Sequence, residues 1–244
     1  MAPPRLPAFA SQCAVCRSWP TRQVCQPCVA RFASHPARCS RCALAFPADL
    51  SLRPASTQAR ICASCTRQPP PTDSVLAAVP YAYPWSTLIS HYKFGEEHGW
   101  AAFFAALLAD TPGVAQALDG LDAGDWILPM PLSDQRLQTR GFNQAWELAR
   151  ALARKTATPA RTDARLLLRV RHTRPQSELR REARLTNVKG AFQLDPLRAH
   201  EISGRRVVLI DDVMTSGASL FTAAEVLKAA GATHVTGVVL ARTA

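Results

Sequence analysis

One stretch decides the fold: Val207-Val208-Leu209-Ile210-Asp211-Asp212-Val213-Met214-Thr215-Ser216-Gly217-Ala218-Ser219-Leu220. Its four consecutive β-favouring apolar residues predict a strand buried on both faces, as in parallel sheets, and the two adjacent carboxylates are expected to close that strand. A turn of small and hydroxylated residues follows. An alanine-rich helix is predicted from about Ser219 to Ala230, with Gly231 as its stop. The stretch is therefore a strand–turn–helix unit of an α/β protein.

The predicted turn has the features of an anion site. The amides and the positive end of a helix favour a phosphate, and three hydroxyl side chains add donors. Gly217 lets a phosphate approach the backbone closely. Two acids beside that pocket suit vicinal hydroxyls or a Mg²⁺ shell, so the sequence predicts a ribose 5-phosphate site. Its predicted contacts are Asp211, Asp212, Val213, Met214, Thr215, Ser216, Gly217, Ala218 and Ser219.

The segment resembles the phosphoribosyl-pyrophosphate (PRPP) motif of type I phosphoribosyltransferases: an apolar strand, two acids, a hydrophobe, then Thr-Ser-Gly-x-Ser. The resemblance implies that Asp211 and Asp212 are catalytic residues holding the ribose, with Mg²⁺ on the pyrophosphate. One alternative is a buried strand that ends in solvated acids. A Walker B strand is disfavoured because the chain has no Gly-Lys pair for a P-loop, and without a Gly-x-Gly it also lacks a dinucleotide fingerprint.

Length and composition fit one full-sized domain plus a small one. The 244 residues contain no apolar run near the roughly 18 residues that span a bilayer; the longest is Ala101 to Ala109. The first seven residues lack the apolar core of a secretory signal. We therefore predict a cytoplasmic protein without membrane insertion.

The net charge of +11 is unevenly distributed. Residues 1–72 carry +8 and residues 131–190 carry +9, whereas residues 73–130 carry −6. Zinc thiolates would lower the first excess. The excess in residues 131–190 is therefore where a polyphosphate or a nucleic-acid strand is expected to find its counter-charge.

All eight cysteines occur as four Cys-x-x-Cys pairs, which predicts two structural zinc sites rather than disulfides in a cytosolic chain. Sequential pairing is favoured because it closes short loops, although spacing alone leaves an interleaved arrangement open. Residues 1–70 are therefore predicted to be a double zinc-ribbon module that needs metal to fold. Its ligands are Cys13, Cys16, Cys25, Cys28, Cys39, Cys42, Cys62 and Cys65.

The second predicted domain, residues 71–244, follows a proline-rich linker. Alternating strands and helices predict an open, mainly parallel α/β sheet flanked by helices. The predicted strands besides the central one are 74–83, 125–128, 166–170, 191–194 and 234–240. Helices are predicted from Pro84 through Tyr92, from 98 to 108, and from Ala145 to Lys155 with Asn143 as N-cap. Residues 171–187 are predicted to be a basic loop that closes over pyrophosphate, or a short solvated helix.

Basic residues near these elements are candidates for pyrophosphate contacts. Arg140 beside Gly141 fits an anion pocket or solvated surface equally well. Arg171 and Arg174 are further candidates on the basic segment. Lys93 fits an ordinary helix C-terminal lysine at least as well as a phosphate contact.

The whole chain resembles the ComF (competence protein F) family. The resemblance rests on several motifs in order: the four cysteine pairs, Pro129-Met130-Pro131-Leu132, Arg140-Gly141-Phe142-Asn143-Gln144, Thr173-x-x-Gln176, Arg184-x-x-Asn187-Val188 and the double-acid motif. It implies a zinc ribbon on a type I phosphoribosyltransferase fold, associated with uptake of transforming DNA. Single-stranded DNA and proteins of DNA uptake or recombination are the partners it suggests.

Two functional hypotheses follow. The first is an enzyme that binds PRPP with Mg²⁺ and transfers phosphoribosyl to an acceptor that the sequence does not identify. The second is a non-catalytic, cytosolic single-strand DNA-handling factor with PRPP as its ligand or regulator.

Overall fold

A computed structural model describes residues 11–47, 60–94, 99–170 and 190–244. The main sheet contains five strands: β1 (Ser74–Pro80), β2 (Trp126–Pro129), β3 (Arg161–Thr162), β6 (Arg206–Met214) and β7 (His234–Arg242). Their order in the sheet is β1-β7-β6-β2-β3, and all neighbours are parallel. The predicted α/β class and parallel sheet are confirmed.

Helices cover both faces of this sheet. In chain order they are α1 (Gln26–Phe32), α2 (Ala63–Arg67), α3 (Trp85–Phe94), α4 (Trp100–Ala109), α5 (Val114–Asp119), α6 (Asp134–Arg140), α7 (Gln144–Thr156) and α8 (Ala218–Ala229). A 3₁₀ turn spans Ala199–Ile202. Asn143 caps α7 as predicted, because its side chain accepts hydrogen bonds from the amides of Ala145 and Trp146.

Alternate residues of the strands build two separate cores. On β6, Val207 and Leu209 face a core with α8, whereas Val208 and Ile210 face a core with α3, α4 and α7. This two-residue period explains why β6 is apolar at four consecutive positions, since both faces are covered. The site-bearing strand is thus fixed from both sides.

The central strand is longer than predicted. The expectation that Asp211 and Asp212 close it is wrong, because β6 continues to Met214 in register with Arg242 of β7. Its partner on the other side, β2, ends at Pro129, opposite Ile210. The two acids therefore lie on a strand that projects past one neighbour and stays paired with the other.

Two predicted strands lie outside the main sheet. β4 (Leu167–Arg169) and β5 (Phe192–Leu194) pair antiparallel in a sheet of their own. Phe192 and Leu194 belong to the core that includes α8, so this small sheet packs on one side of the main one. Sequence pattern predicts both strands but not that they pair with each other.

The cysteine-rich segment packs against both cores. Trp85 of α3 donates through Nε1 to the carbonyl of Phe32 (2.8 Å), and the Val75 amide of β1 donates to the carbonyl of Ser40 (2.8 Å). The division into domains at residues 70 and 71 stays a prediction. Among the described residues, no helix combines the length and apolar character needed to cross a bilayer.

Candidate functional site

The double-acid segment lies at a topological switch point of the sheet. After β2 the chain moves outward to β3, and after β6 it moves the other way to β7. Open parallel sheets bind ligands outside the carboxyl ends of the strands at such a point. The crevice lies between the ends of β2 and β6, where the Met130 amide donates to the carbonyl of Ile210 (2.8 Å).

Asp211 and Asp212 form a close acidic pair with a cation in contact. The Asp212 amide donates to Asp211 Oδ1 (2.9 Å), and Asp212 Oδ1 lies 3.0 Å from Lys93 Nζ. The Lys93 side chain is only 17% exposed and that of Asp212 only 12%, so water screens this ion pair weakly. The last turn of α3 thus places a buried positive charge against the second acid.

Asp211 titrates differently from an isolated carboxyl. Burial, followed by the charge of Asp212, raises the pKa of Asp211 to about 7, while Lys93 and Arg169 oppose that rise. Burial also raises the pKa of Tyr92, which precedes Lys93. The site therefore holds a carboxyl that changes its charge near neutral pH.

The raised pKa predicts a pH-dependent stability. The folded state binds the Asp211 proton more tightly than the unfolded chain does, where the pKa is near 3.8. That contribution is full at low pH and is lost as pH rises through about 7. In Mg²⁺-free buffer, Asp211→Asn should raise the free energy of urea unfolding by about 2 kcal/mol at pH 8 and by less at pH 5.5. An equal gain at both pH values would contradict the assignment.

The turn after β6 depends on Gly217. This residue is the N-cap of α8 and adopts a left-handed conformation with φ of 83°. A Cβ here would lie 2.5 Å from Met214 Cε and 2.6 Å from Phe221 Cε2. Ser216 Oγ accepts from the Ala218 amide (3.3 Å), which fixes the entry into the helix. Glycine is required for both the conformation and the close packing.

Gly217→Ala should therefore lower the free energy of unfolding by more than the cost of placing alanine in a left-handed conformation. The matched control is Gly204→Ala, since Gly204 has a φ of 73° and a methyl group there would meet no atom within 4 Å. We expect a cost of about 1 kcal/mol for the control and about 3 kcal/mol for Gly217→Ala. Urea unfolding of both variants measures the difference. Equal costs would mean that the turn relaxes without strain.

Basic side chains from two elements lie near the acids. Lys93 comes from α3, and Arg169 comes from β4. Burial and the positive charge of Arg136 on α6 lower the pKa of Arg169 to about 10, while Asp211 opposes this shift. Arg169 thus lies close enough to both Asp211 and Arg136 for their charges to act on it. Two positive guanidiniums near the acids suit a polyanionic ligand.

Arg140 is held near the same end of α3. Its guanidinium lies over the ring of Phe94, 5.0 Å from the centroid, and Nη1 donates to Gln144 Oε1 (3.1 Å). Gln144 is 1% exposed and also contacts the Lys93 carbonyl through Nε2 (3.4 Å). The role of Arg140 in binding pyrophosphate stays a prediction. Arg171, Arg174 and the motifs between 173 and 188 lie outside the described residues.

Sequence reasoning misses Arg169 and leaves Lys93 undecided. The pattern predicts Arg169 only as part of a strand, and nothing in its spacing points to Asp211. Lys93 has one usable signal: it is the single basic residue in the acidic span 73–130. Only the fold brings these two side chains to the end of β6.

The cysteines form two clusters by sequential pairing, as predicted. The first contains Cys13, Cys16, Cys25 and Cys28, and the second Cys39, Cys42, Cys62 and Cys65. Within each cluster the sulfurs lie within 4.8 Å of one another, and one pair in each is 3.6 Å or 3.8 Å apart. Four sulfurs around one zinc would lie about 3.8 Å apart, so both clusters fit a tetrahedral metal ion.

Amide donors prepare the clusters for thiolates. The amides of Val15 and Cys25 each donate to Cys13 Sγ (3.4 Å). Burial opposes ionisation, but backbone donors outweigh it and lower the pKa of Cys13 to about 6. In the second cluster the Cys62 amide donates to Cys39 Sγ (3.3 Å). The Cys13 thiolate is therefore favoured before any metal binds, whereas burial raises the pKa of Cys28 to about 12 and that of Cys42 to about 11, so these thiols need the metal to ionise.

Several known proteins are similar to this chain in sequence. A family model described as "Phosphoribosyl transferase domain" matches residues 138–244. The DNA utilization protein YhgH of Salmonella typhimurium is 33% identical over 215 residues, which cover 86% of this chain and 92% of that protein. Competence protein F of Haemophilus influenzae is 32% identical, over 72% of this chain and 76% of its own length.

Among solved structures, the HGPRT-ase of Leishmania tarentolae in complex with GMP aligns with 61% of this chain and 67% of its own, with 19% identity and a TM-score of 0.33. That score is too low to carry an inference. The sequence matches to YhgH and to competence protein F each extend over most of this chain and most of the relative. The protein therefore belongs to the ComF family, together with YhgH and competence protein F.

Proposed function

We propose that the protein binds PRPP with Mg²⁺ at the end of β6 and transfers its phosphoribosyl group to an acceptor. One observation carries the proposal: Asp211 and Asp212 lie on the part of β6 that extends past β2 at the switch point, shortly before a glycine-dependent turn and the start of α8. Acids for the ribose hydroxyls and amides for the 5-phosphate are thereby adjacent. The phosphoribosyl transferase domain model agrees with this assignment.

The side chains around the acids suit the departure of pyrophosphate. In the transfer, the bond from the anomeric carbon to pyrophosphate breaks and a bond to the acceptor forms. Lys93 and Arg169 stabilise the negative charge that develops on the leaving group. Asp211 and Asp212 orient the ribose hydroxyls. Mg²⁺, when bound, supplies further positive charge to the pyrophosphate. Lys93 must exchange Asp212 for the ligand as PRPP enters.

Calorimetric titration of the zinc-loaded protein with PRPP tests the proposal. We expect saturable binding in the presence of Mg²⁺ and much weaker binding in its absence. Assays of PRPP-dependent pyrophosphate release with bases, nucleosides and ammonia then identify the acceptor class. A protein that binds no PRPP with Mg²⁺ would overturn the proposal. Binding without release with any acceptor would favour the second candidate below.

An aromatic surface formed by Phe32 of the cysteine-rich segment and Tyr83, which precedes α3, supports a second candidate, a single-strand DNA-handling factor with PRPP as ligand or regulator. Tyr83 is 66% exposed and meets Phe32 edge-on, with centroids 5.9 Å apart. The Arg31 guanidinium lies 5.2 Å from the Phe32 ring centre. Exposed aromatic rings with a neighbouring cation can stack on bases, and the name of one relative, DNA utilization protein YhgH, mentions DNA.

Fluorescence anisotropy with an oligothymidine tests this candidate. We expect affinity to fall steeply with salt and to weaken about tenfold in Tyr83→Ala. Tyr81→Ala is the control, since Tyr81 is also exposed but contributes no ring contact to Phe32 among the described residues. Salt-insensitive binding, or equal losses in both variants, would contradict a stacking surface at Phe32.

A further inference from the structure

A buried arginine joins the second cysteine cluster to the phosphate turn. Arg242 is the last residue of β7 and is 8% exposed. Its Nε donates to the carbonyl of Cys42 (3.0 Å), and its Nη1 lies 3.4 Å from the carbonyl of Met214. One guanidinium thus contacts a cysteine of the cluster and the residue that immediately precedes Thr215.

Met214 determines where the turn begins. It ends β6, and its carbonyl also accepts from the Thr243 amide (3.1 Å). Its side chain lies against the Cα of Gly217, because a Cβ there would meet Met214 Cε at 2.5 Å. The Met214 side chain thus packs beside the glycine on which the turn depends, and its carbonyl lies three residues before it.

Cys42 lies in the tight turn that follows the first ligand of the second cluster. The Ala43 amide donates to the carbonyl of Cys39, and the Cys39 amide donates to that of Leu44, both at 2.8 Å. Arg38 donates through Nη1 to the carbonyl of Ala43 (3.0 Å), so consecutive carbonyls each receive an arginine. All four cysteines of this cluster are buried.

Charge favours metal in this cluster. The guanidiniums of Arg38 and Arg242 donate to the neighbouring carbonyls of Ala43 and Cys42, so two cations lie beside the cluster. Four thiolates with one Zn²⁺ carry a net charge of −2, which would offset two neighbouring cations. The metal would also fix the turn whose carbonyl Arg242 binds.

We propose that Arg242 is a positioning residue through which the second cysteine cluster sets the geometry of the turn from Thr215 to Ser219. The cluster fixes the position of Cys42, the carbonyl of Cys42 accepts from Arg242, and Arg242 contacts the carbonyl of Met214. In its effect on PRPP this inference rests on the proposed function. Its effect on the turn itself does not, and the two are measured separately.

Arg242→Met tests the link because it removes the side-chain hydrogen bonds to Cys42 and Met214, together with those that Nη1 makes to the carbonyl (2.7 Å) and Oγ1 (3.1 Å) of Thr243, and keeps a long apolar side chain. Arg206→Met is the matched control, since Arg206 lies at the opposite end of β6 and donates to the Gly120 carbonyl (2.6 Å). The first readout is hydrogen exchange of the amides of residues 215–221 in the zinc-loaded protein. We expect exchange about tenfold faster in Arg242→Met and unchanged in Arg206→Met. Arg242→Lys, which keeps the charge and one donor, should fall between, and it replaces the methionine variant if that protein fails to fold.

Cys65→Ser provides the second arm of a double-mutant cycle. It opens the second cluster without altering Cys42 or Arg242. In the wild-type background it should accelerate exchange in residues 215–221 as Arg242→Met does. In the Arg242→Met background it should add little, because the same link is already broken. Fully additive effects, or unchanged exchange in Arg242→Met, would overturn the inference.

The affinity for PRPP is the second readout. Where the wild type binds PRPP through its acid pair, we expect about tenfold weaker binding in Arg242→Met. Unchanged affinity with faster exchange would limit the role of Arg242 to the turn and refute the effect on binding. If the wild type does not bind PRPP, the proposed function fails, while the exchange cycle still decides whether the cluster and the turn are linked.

Discussion

Replacing both carboxylates, in Asp211→Asn/Asp212→Asn, is expected to weaken Mg²⁺-dependent PRPP binding at least a hundredfold. Hydrogen bonds to charged groups contribute about 1.5–3 kcal/mol each, so the loss of two corresponds to roughly two to four orders of magnitude in the dissociation constant. Calorimetric titration measures the change. The two asparagines keep the shape of the side chains, which limits the substitution to charge and hydrogen bonding.

The control for this variant is Asp110→Asn/Asp119→Asn. Both residues are exposed and lie at the ends of α4 and α5, near the amino end of β2 and away from the crevice. The control makes the same change in net charge, so it separates a general electrostatic effect from a local one. Wild-type affinity in both double variants would remove the acid pair from the binding site.

Of the two substitutions, Asp211→Asn alone should not unfold the protein, whereas Asp212→Asn also removes the partner of Lys93. Asp211 carries a pKa raised to about 7, so its charge is unfavourable in the folded state at high pH. Neutralising it should increase stability while binding is lost. A side chain that costs stability and supports binding is typical of a functional site rather than of a structural one. An Asp211→Asn single variant that unfolds at a lower urea concentration than the wild type at pH 8 would contradict this expectation.

The parts of the fold encoded in short segments could be predicted from sequence. The apolar run before Asp211, the glycine of the turn and the helix after it are local signals, and the structure confirms β6 and α8. The sequential pairing of the cysteines was also predictable, because short loops between pairs favour it. In each case the residues that interact are near one another in the chain.

The parts that depend on distant contacts could not be predicted. Lys93 reaches Asp212 only because α3 ends beside the carboxyl edge of β6. Arg169 comes near Asp211 only because β4 pairs with β5 in a separate small sheet beside the main one. The strand containing the acids runs on to Met214 because β7 is long enough to pair with it. No spacing rule in a single sequence contains these relations.

Zinc removal should have the largest effect on stability, and the two clusters should respond differently. Cys16 of the first cluster is exposed, whereas all four cysteines of the second are buried. Protein purified without a chelator is expected to contain about two zinc ions per chain. A chelator should then extract them in two phases, the first cluster losing its metal faster because an exposed thiolate can be protonated and attacked.

Variants with a single serine substitution show which cluster releases its zinc in each phase. Cys16→Ser should leave one zinc that is released slowly, and Cys65→Ser should leave one that is released rapidly. The second variant should also be the less stable. Cys39, Cys42, Cys62 and Cys65 belong to the core that contains α8 and β5, and a metal bound by them would fix the turn whose Cys42 carbonyl accepts from Arg242. We expect Cys65→Ser to lower the thermal midpoint by about 10 °C, corresponding to roughly 4 kcal/mol, and Cys16→Ser by less.

These outcomes separate two roles for the cysteine-rich segment. Each metal could stabilise only the cysteine-rich segment around it. In that case each serine variant would lose one zinc, the two thermal midpoints would fall equally, and hydrogen exchange at residues 215–221 would not change in either variant. A larger loss for Cys65→Ser, accompanied by faster exchange in the turn, would mean that the second metal stabilises the phosphoribosyl transferase domain itself. One zinc or none per chain in the wild type would contradict the two-site assignment.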